Sequence, residues 1–304
     1  MSSSQNPGNL SDTRGNHGGI AFFRLLIRCC GRRVACGFVW FIAFFYALFD
    51  GRAFASSRPY LSSRFPEANW LCLRIHFFRL IVSQGQAMIV AHWLQSGNTL
   101  PITTRNNSVA QAELEKSDRG LILLISHVGC WQASLRHLLS FSRPINLLIQ
   151  ANQNTGTAAL LVGSNIRIVD NSSDFGGLLE CVSALERGEI VCIMGDRHAS
   201  QAESSLTMDV LGNTREIPSS PWYLAARCNL PILPLFVLLK PPLASAIEYR
   251  FVEPMEVKTQ NNRRPSNSDF LPAVRQYARE LEDIATEFPY QVFHYSLQKG
   301  TKNG

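Results

Sequence analysis

The stretch Leu121-Ile-Leu-Leu-Ile-Ser126-His127-Val-Gly129-Cys130-Trp131-Gln132-Ala-Ser134 puts a histidine where chemistry is readily done. Leu121–Ser126 is apolar but for its last residue and reads as a buried strand, and the pattern beyond Gly129 reads as a helix. An imidazole at the carboxyl end of a strand, next to a helix start, lies where open α/β sheets bind ligands. Histidine titrates near neutrality and can take a proton from a hydroxyl. Backbone N–H groups in Gly129–Trp131 could then meet the oxyanion formed when that hydroxyl adds to a carbonyl. The competing reading is a histidine that only caps a helix. Cys130 is a second candidate nucleophile, set against the plainer reading of a small packed residue.

The segment resembles the His-x-x-x-x-Asp/Glu signature of glycerolipid and lipid A acyltransferases, which in the bacterial lipid A branch often reads His-x-Gly-Asn-Trp-Glu. Further segments resemble the family in order and spacing. Glu189-Ile-Val-Cys-Ile-Met-Gly-Asp196-Arg197 is similar to its strand ending in Asp-Arg or Asp-Gln. Asp209-Val-Leu211-Gly212-Asn-Thr-Arg-Glu-Ile217-Pro218 is similar to its Phe-Leu-Gly followed by a proline. Leu224 to Phe236 is similar to its helix, Gly-x-Pro-Val-x-Pro and strand, and Glu287-Phe-Pro289-Tyr-Gln291-Val-Phe293 to its Pro-x-Gln-Trp-Phe ending. The resemblance covers residues 20 to 297. It implies an α/β fold with a mixed central sheet flanked by helices. It also implies transfer of a fatty acyl group from an acyl carrier protein or coenzyme A thioester to a hydroxyl of a lipid or glycolipid. The expected place is the cytoplasmic face of a bacterial inner membrane, with neither metal nor cofactor beyond the thioester. His127 is then the general base, and Gly129, Cys130, Trp131 and Pro218 fall in the substrate-binding motifs.

The chain departs from that pattern at Gln132, where the family has a carboxylate. A glutamine can orient an imidazole but cannot supply the charge that stabilises an imidazolium. Asp196, also at a strand end, is the candidate substitute; its plain alternative is a turn cap. Many relatives carry an arginine after the strand ending at Ile149, and here Gln150 and Asn152 offer only amides. Arg197 is the candidate for the missing positive charge, against the reading of a solvated surface arginine. Gln132 also keeps open a lipid-binding protein without activity. A lipid esterase or thioesterase using the same histidine on water is the other alternative.

The elements that must position these residues follow from periodicity. From Leu121 onward strands and helices alternate, which predicts an α/β sheet. Strands are expected at Leu121–Ser126, Ile145–Gln150, Ile166–Val169, Ile190–Met194 and Ile232–Leu239, the last central, with Ile247–Val252 as an edge strand. Helices are expected at Trp131–Ser140, Thr157–Val162, Phe175–Arg187, Pro221–Cys228 and Leu271–Glu287. Asp196 to Thr207 reads as a polar loop. Phe54 to Gly97 reads as helix in two pieces split near Pro66, and residues 98–119 as a polar connection and an approach helix or loop.

The chain is 46% hydrophobic and 17% charged, with 18 Phe and a net charge of +6. Residues 1–100 hold ten Arg against Asp12, Asp50 and Glu67, so the positive charge sits at this end. Residues 1–19 are polar and Gly-rich and read as disordered. Arginines then precede an uncharged run from Val34 to Phe49, so residues 20–55 read as a basic and apolar membrane-associated helix and 56–304 as the α/β domain. The run is short of the ~20 residues a spanning helix needs. A helix lying in the inner leaflet is the reading, against a signal peptide cleaved near Ala53-Phe-Ala55 or a core helix. A basic patch also suits nucleic acid, but no recognition motif accompanies it. The eight Cys lack zinc-ligand spacing and point to a reducing compartment rather than a disulfide framework.

Overall fold

The computed structural model describes residues 17–105, 107–116, 119–138, 143–149, 165–171, 177–196, 204–259 and 264–293. Three helices lead: α1 (His17–Phe49), α2 (Gly51–Arg64) and α3 (Trp70–Gln95). There follow β1 (Ile102–Arg105), α4 (Asn107–Glu115), β2 (Leu121–Ile125), α5 (Gln132–Leu138), β3 (Ile145–Ile149), β4 (Ile166–Asp170), α6 (Leu178–Glu186) and β5 (Ile190–Met194). The chain continues through β6 (Ser205–Val210), β7 (Asn213–Pro218), α7 (Ser220–Cys228), β8 (Ile232–Lys240), β9 (Ala246–Phe251) and α8 (Asn267–Glu287). The expected helix at 157–162 lies outside the described residues. So do residues 1–16 of the stretch expected to be disordered, while 17–19 open α1.

Seven strands form one mixed sheet in the order β1-β9-β8-β2-β5-β3-β4, with β9 antiparallel to β8 and the other pairs parallel. β2, β3 and most of β5 and β8 are buried, which explains their near-continuous aliphatic runs. One face of the sheet packs Ile122, Leu124 and Phe236 against Trp222 of α7 and Tyr277 of α8. The other packs Leu123, Leu235 and Val237 with Ala87 and Val90 of α3.

Two elements differ from the sequence reading. β9 is not the edge, because β1 pairs with it from Ile102↔Ile247 to Arg105↔Arg250. β1 reads Ile-Thr-Thr-Arg and is largely exposed, so it carries no apolar signal. The second is the antiparallel hairpin β6–β7, whose pairing runs from Ser205↔Pro218 to Val210↔Asn213. Its two-residue turn, Leu211-Gly212, has φ of 57° and 68°. Two positive φ values make the turn type that twists with its strands, usually signalled by Asn-Gly or Asp-Gly rather than Leu-Gly.

α1 is kinked at Gly31 (φ 81°, ψ 169°). Beyond the kink, Ala35, Cys36, Val39 and Ala43 pack on Val82 and Ile89 of α3. The two helices touch so closely that a Cβ on Gly85 would lie 2.6 Å from Val39 Cγ1. Arg32, buried, donates to the carbonyls of Leu243 (2.8 Å) and Ala244 (2.7 Å), which ties α1 to the β8–β9 turn. The opposite face exposes Trp40, Phe41, Phe44, Phe45, Leu48 and Phe49. The expected boundary at 55/56 falls inside α2.

Candidate active site

Sheet register brings the central pair together. β2 and β5 pair in parallel from Leu121↔Ile190 to Ile125↔Met194. The same offset places His127 beside Asp196, two residues past each strand end. Gly195 continues the ladder, its N–H donating to Ile125 O at 2.9 Å. A Cβ there would lie 2.7 Å from Leu124 Cδ1 and 2.9 Å from the Tyr277 hydroxyl, so glycine lets β5 close onto this corner. Asp196 Oδ2 accepts from the His127 backbone N–H at 2.7 Å, and Oδ1 lies 3.1 Å from Nδ1. The carboxylate side chain is 6% exposed and the imidazole 26%. With Nδ1 turned to Asp196, Nε2 is the nitrogen on the outer side of the ring. Trp131 stands edge-on to it, ring centroids 6.4 Å apart at 68°.

The His127 loop is braced by the end of the chain. Gly129 N–H donates to Gln291 O at 2.7 Å, and Phe293 N–H donates to His127 O at 3.0 Å. The Gln291 side chain clamps β8, accepting from Leu239 N–H at 2.8 Å and donating to Leu239 O at 2.7 Å. Cys130 N–H donates to Val237 O at 2.9 Å. Gly129 has φ of +58°, and a Cβ on it would lie 2.0 Å from Val237 O. These bonds correct one expectation. The Gly129 and Cys130 amides serve the fold, so of the three amides expected to meet an oxyanion only that of Trp131 is left outside these ladders. The physical reason is the close approach of β8 and Gln291, which takes both donors.

Cys130 is fully buried, its Sγ 3.6 Å from Ala87 O of α3. Burial pushes its thiol up to about 12, so it keeps its proton and acts as packing. Gln132 opens α5, and its Oε1 lies 4.0 Å from Cys130 Sγ. It is Asp196, not Gln132, that contacts the ring in the described geometry. Pro218 is buried where β7 turns into α7. Gln150, Asn152 and Arg197 lie outside the described residues.

Arg215 was not singled out from the sequence, although it lies within the segment valued for its Leu-Gly and proline. Alternation along Asn213-Thr-Arg215-Glu-Ile217 is the signal: Thr214 and Glu216 are exposed, while Arg215 shares the inward side with buried Ile217. Asp196, Tyr60 and Tyr277 lie within its electrostatic reach. Burial pushes its pKa below the usual arginine value, against the pull of those groups. Tyr277 sits beneath the corner, its hydroxyl 2.7 Å from Ser126 Oγ. Burial, and then the charge of Asp196, hold that phenol well above its usual range.

The sequence model of the bacterial lipid A biosynthesis acyltransferase family matches residues 100–293. The chain belongs to this family. The match runs from β1 to the Gln291–Phe293 brace and includes both members of the His127–Asp196 pair, so this acyltransferase family contributes the whole sheet. Among solved structures, the chain is similar to the 1-acyl-sn-glycerophosphate (LPA) acyltransferase PlsC from Thermotoga maritima. The identity is 13% and the TM-score 0.40, over 86% of this chain and 95% of that one. No curated protein sequence matches the chain.

Proposed function

We propose that this lipid A acyltransferase family member transfers a fatty acyl group from an acyl carrier protein or coenzyme A thioester to a hydroxyl of a membrane lipid or glycolipid, with His127 as general base. The single observation that carries the reading is the double contact of Asp196 with His127 at the carboxyl ends of the central strands β2 and β5. In this mechanism Nε2 takes the proton of the acceptor hydroxyl as its oxygen bonds to the thioester carbonyl carbon. Asp196 holds the ring and balances the imidazolium that forms. The tetrahedral intermediate then collapses, the carbon–sulfur bond breaks, and the imidazolium returns the proton to the leaving thiolate. The ester remains on the acceptor. Gln132 is an auxiliary rather than the partner of the ring, so its replacement of the family carboxylate does not argue for an inactive protein.

The membrane is the proposed location of the acceptor. The support is the apolar helix Ala21–Phe49, of length and composition able to cross a bilayer, and the aromatic stripe it exposes beside Arg24, Arg28 and Arg33. Docking of α1 on α3 and of Arg32 on the β8–β9 turn favours a helix lying on the cytoplasmic leaflet of the inner membrane with that stripe. The test of the catalytic reading is pure full-length protein incubated with a labelled acyl thioester and a lipid extract. Label in lipid is the expected result. Label released as free acid makes the protein a thioesterase, and neither product leaves a lipid-binding protein.

A further inference from the structure

We propose that Tyr277 is a positioning residue for the His127–Asp196 pair, its hydroxyl bonded to Ser126 and set against Gly195, the residues that precede the two. The proposal rests on the reading of His127 as base.

Tyr277 lies on the inward face of α8, which also buries Phe270, Val274, Leu281 and Ile284. That face is apolar, and a phenylalanine would fill the same space. The ring is held on two sides, 6.4 Å from Phe236 of β8 at 8° and 5.7 Å from Trp222 of α7 at 56°. The side chain is fully buried. A hydroxyl in such an interior costs stability unless it is bonded. Among the described residues its hydrogen-bond partner is Ser126 Oγ, at 2.7 Å and itself buried. The polar atom that α8 sends into this core therefore meets the residue before His127.

The same hydroxyl reaches the other strand, since a Cβ on Gly195 would stand 2.9 Å from it. Ser126 and Gly195 follow Ile125 and Met194, the last paired residues of β2 and β5. One hydroxyl thus sets the height of both strand ends against α8. His127 and Asp196 leave from those ends, and their contacts of 2.7 and 3.1 Å require that both stay level. A misplacement of about 1 Å at reacting groups can cost about 100-fold in rate, so a hydroxyl that prevents a smaller shift here matters more to turnover than to folding.

The test compares wild type with Tyr277→Phe, Ser126→Ala, the double variant and Ile284→Val in the full-length chain. Ile284 is buried on the same helix, so its variant reports loss of packing alone. With a labelled thioester, kcat of Tyr277→Phe is expected to fall about tenfold while KM stays within about twofold. Ser126→Ala falls alike, and the double variant falls no further than either, because both changes remove one bond. Ile284→Val keeps its kcat. Hydrogen exchange at the His127 amide, which donates to Asp196, is read by NMR in the same proteins. It is expected to quicken about tenfold in Tyr277→Phe beyond any change in Ile284→Val. Unchanged kcat in folded Tyr277→Phe overturns the proposal. So do losses that multiply in the double variant, a raised KM with unchanged kcat, and a loss in Ile284→Val equal to that in Tyr277→Phe. The exchange measurement needs no turnover. A wild type that transfers nothing counts against the base reading, and equal His127 exchange in Tyr277→Phe and Ile284→Val overturns the positioning role by itself.

Discussion

The Asp196 carboxylate meets His127 twice, with Oδ2 on the backbone N–H at 2.7 Å and Oδ1 at Nδ1 at 3.1 Å. One contact fixes where the loop leaves β2, and the other fixes how the ring is turned. The position that family members use for this purpose is Gln132, and here it lies beside Cys130 instead.

That division of labour sets the order of damage by substitution. Asp196→Asn removes the charge, and kcat is expected to fall by about 10²- to 10⁴-fold. Gln132→Ala is expected to stay within about threefold of wild type, as the ring has its carboxylate. Gln132→Glu, which restores the family residue, brings little gain. A tenfold rise in Gln132→Glu would make position 132 the working partner. Steady-state kinetics across pH on the three variants checks the order.

Gly129→Ala tests the brace. Its Cβ would lie 2.0 Å from Val237 O, with φ at +58°. Both faults act on the backbone, which cannot rotate away, so a loss of at least ~2 kcal/mol of stability is expected. Urea unfolding followed by circular dichroism reads it. A loss under about 0.5 kcal/mol would mean that the His127 loop tolerates retreat from β8.

The charged corner away from the site gives a pH signature. Arg250 bonds Glu248 at 2.6 Å and Glu287 at 2.5 Å, and Lys240 also meets Glu248. Arg250 beside Glu287 holds that carboxyl below its usual value of 4.5. Burial pushes Glu248 up, but Lys240 and Arg250 outweigh it and hold it low too. Depressed folded pKa values add stability above the unfolded pKa, and that stability is lost as pH falls through the folded values. Arg250→Ala is therefore expected to cost about 1–2 kcal/mol near neutrality, where buried Glu248 is left with Lys240 alone, and less below pH ~4 as the carboxylates protonate. Denaturant melts at both pH values give the comparison; an equal cost at both would contradict the ion-pair account.

The membrane face calls for point substitutions rather than removal of α1, which would uncover Val82 and Ile89 of α3. Phe41, Phe44 and Phe45 are 58%, 52% and 43% exposed. Replacing all three by Glu should leave the melting temperature nearly unchanged, as exposed sites usually do. The protein should move from the membrane to the soluble fraction on flotation with anionic vesicles. Unchanged flotation would place the attachment elsewhere.

Much of the sheet was legible because buried parallel strands are written as aliphatic runs: Leu121–Ile125, Ile190–Met194 and Ile232–Lys240 each announce themselves. His127 and Asp196 were legible as strand-end residues and Asp196 as a candidate partner, but whether it or Gln132 meets the ring was not, since register between strands 69 residues apart is set by the fold. The β6–β7 hairpin hid behind a Leu-Gly turn and polar outward residues. Arg215 hid with it, because an inward arginine in a half-buried strand has the same letters as a solvated one. The role of the Gln291 brace was equally silent: its amide matters through Leu239 and its carbonyl through Gly129, and neither is near it in sequence.

The central claim is that His127 takes the proton of the acceptor hydroxyl. It is tested most directly by the single-turnover rate of label transfer from acyl thioester to lipid by folded His127→Ala protein beside wild type. The account predicts a loss of at least ~100-fold with an unchanged circular dichroism spectrum. Transfer by the folded variant at a rate within a few fold of wild type would contradict it.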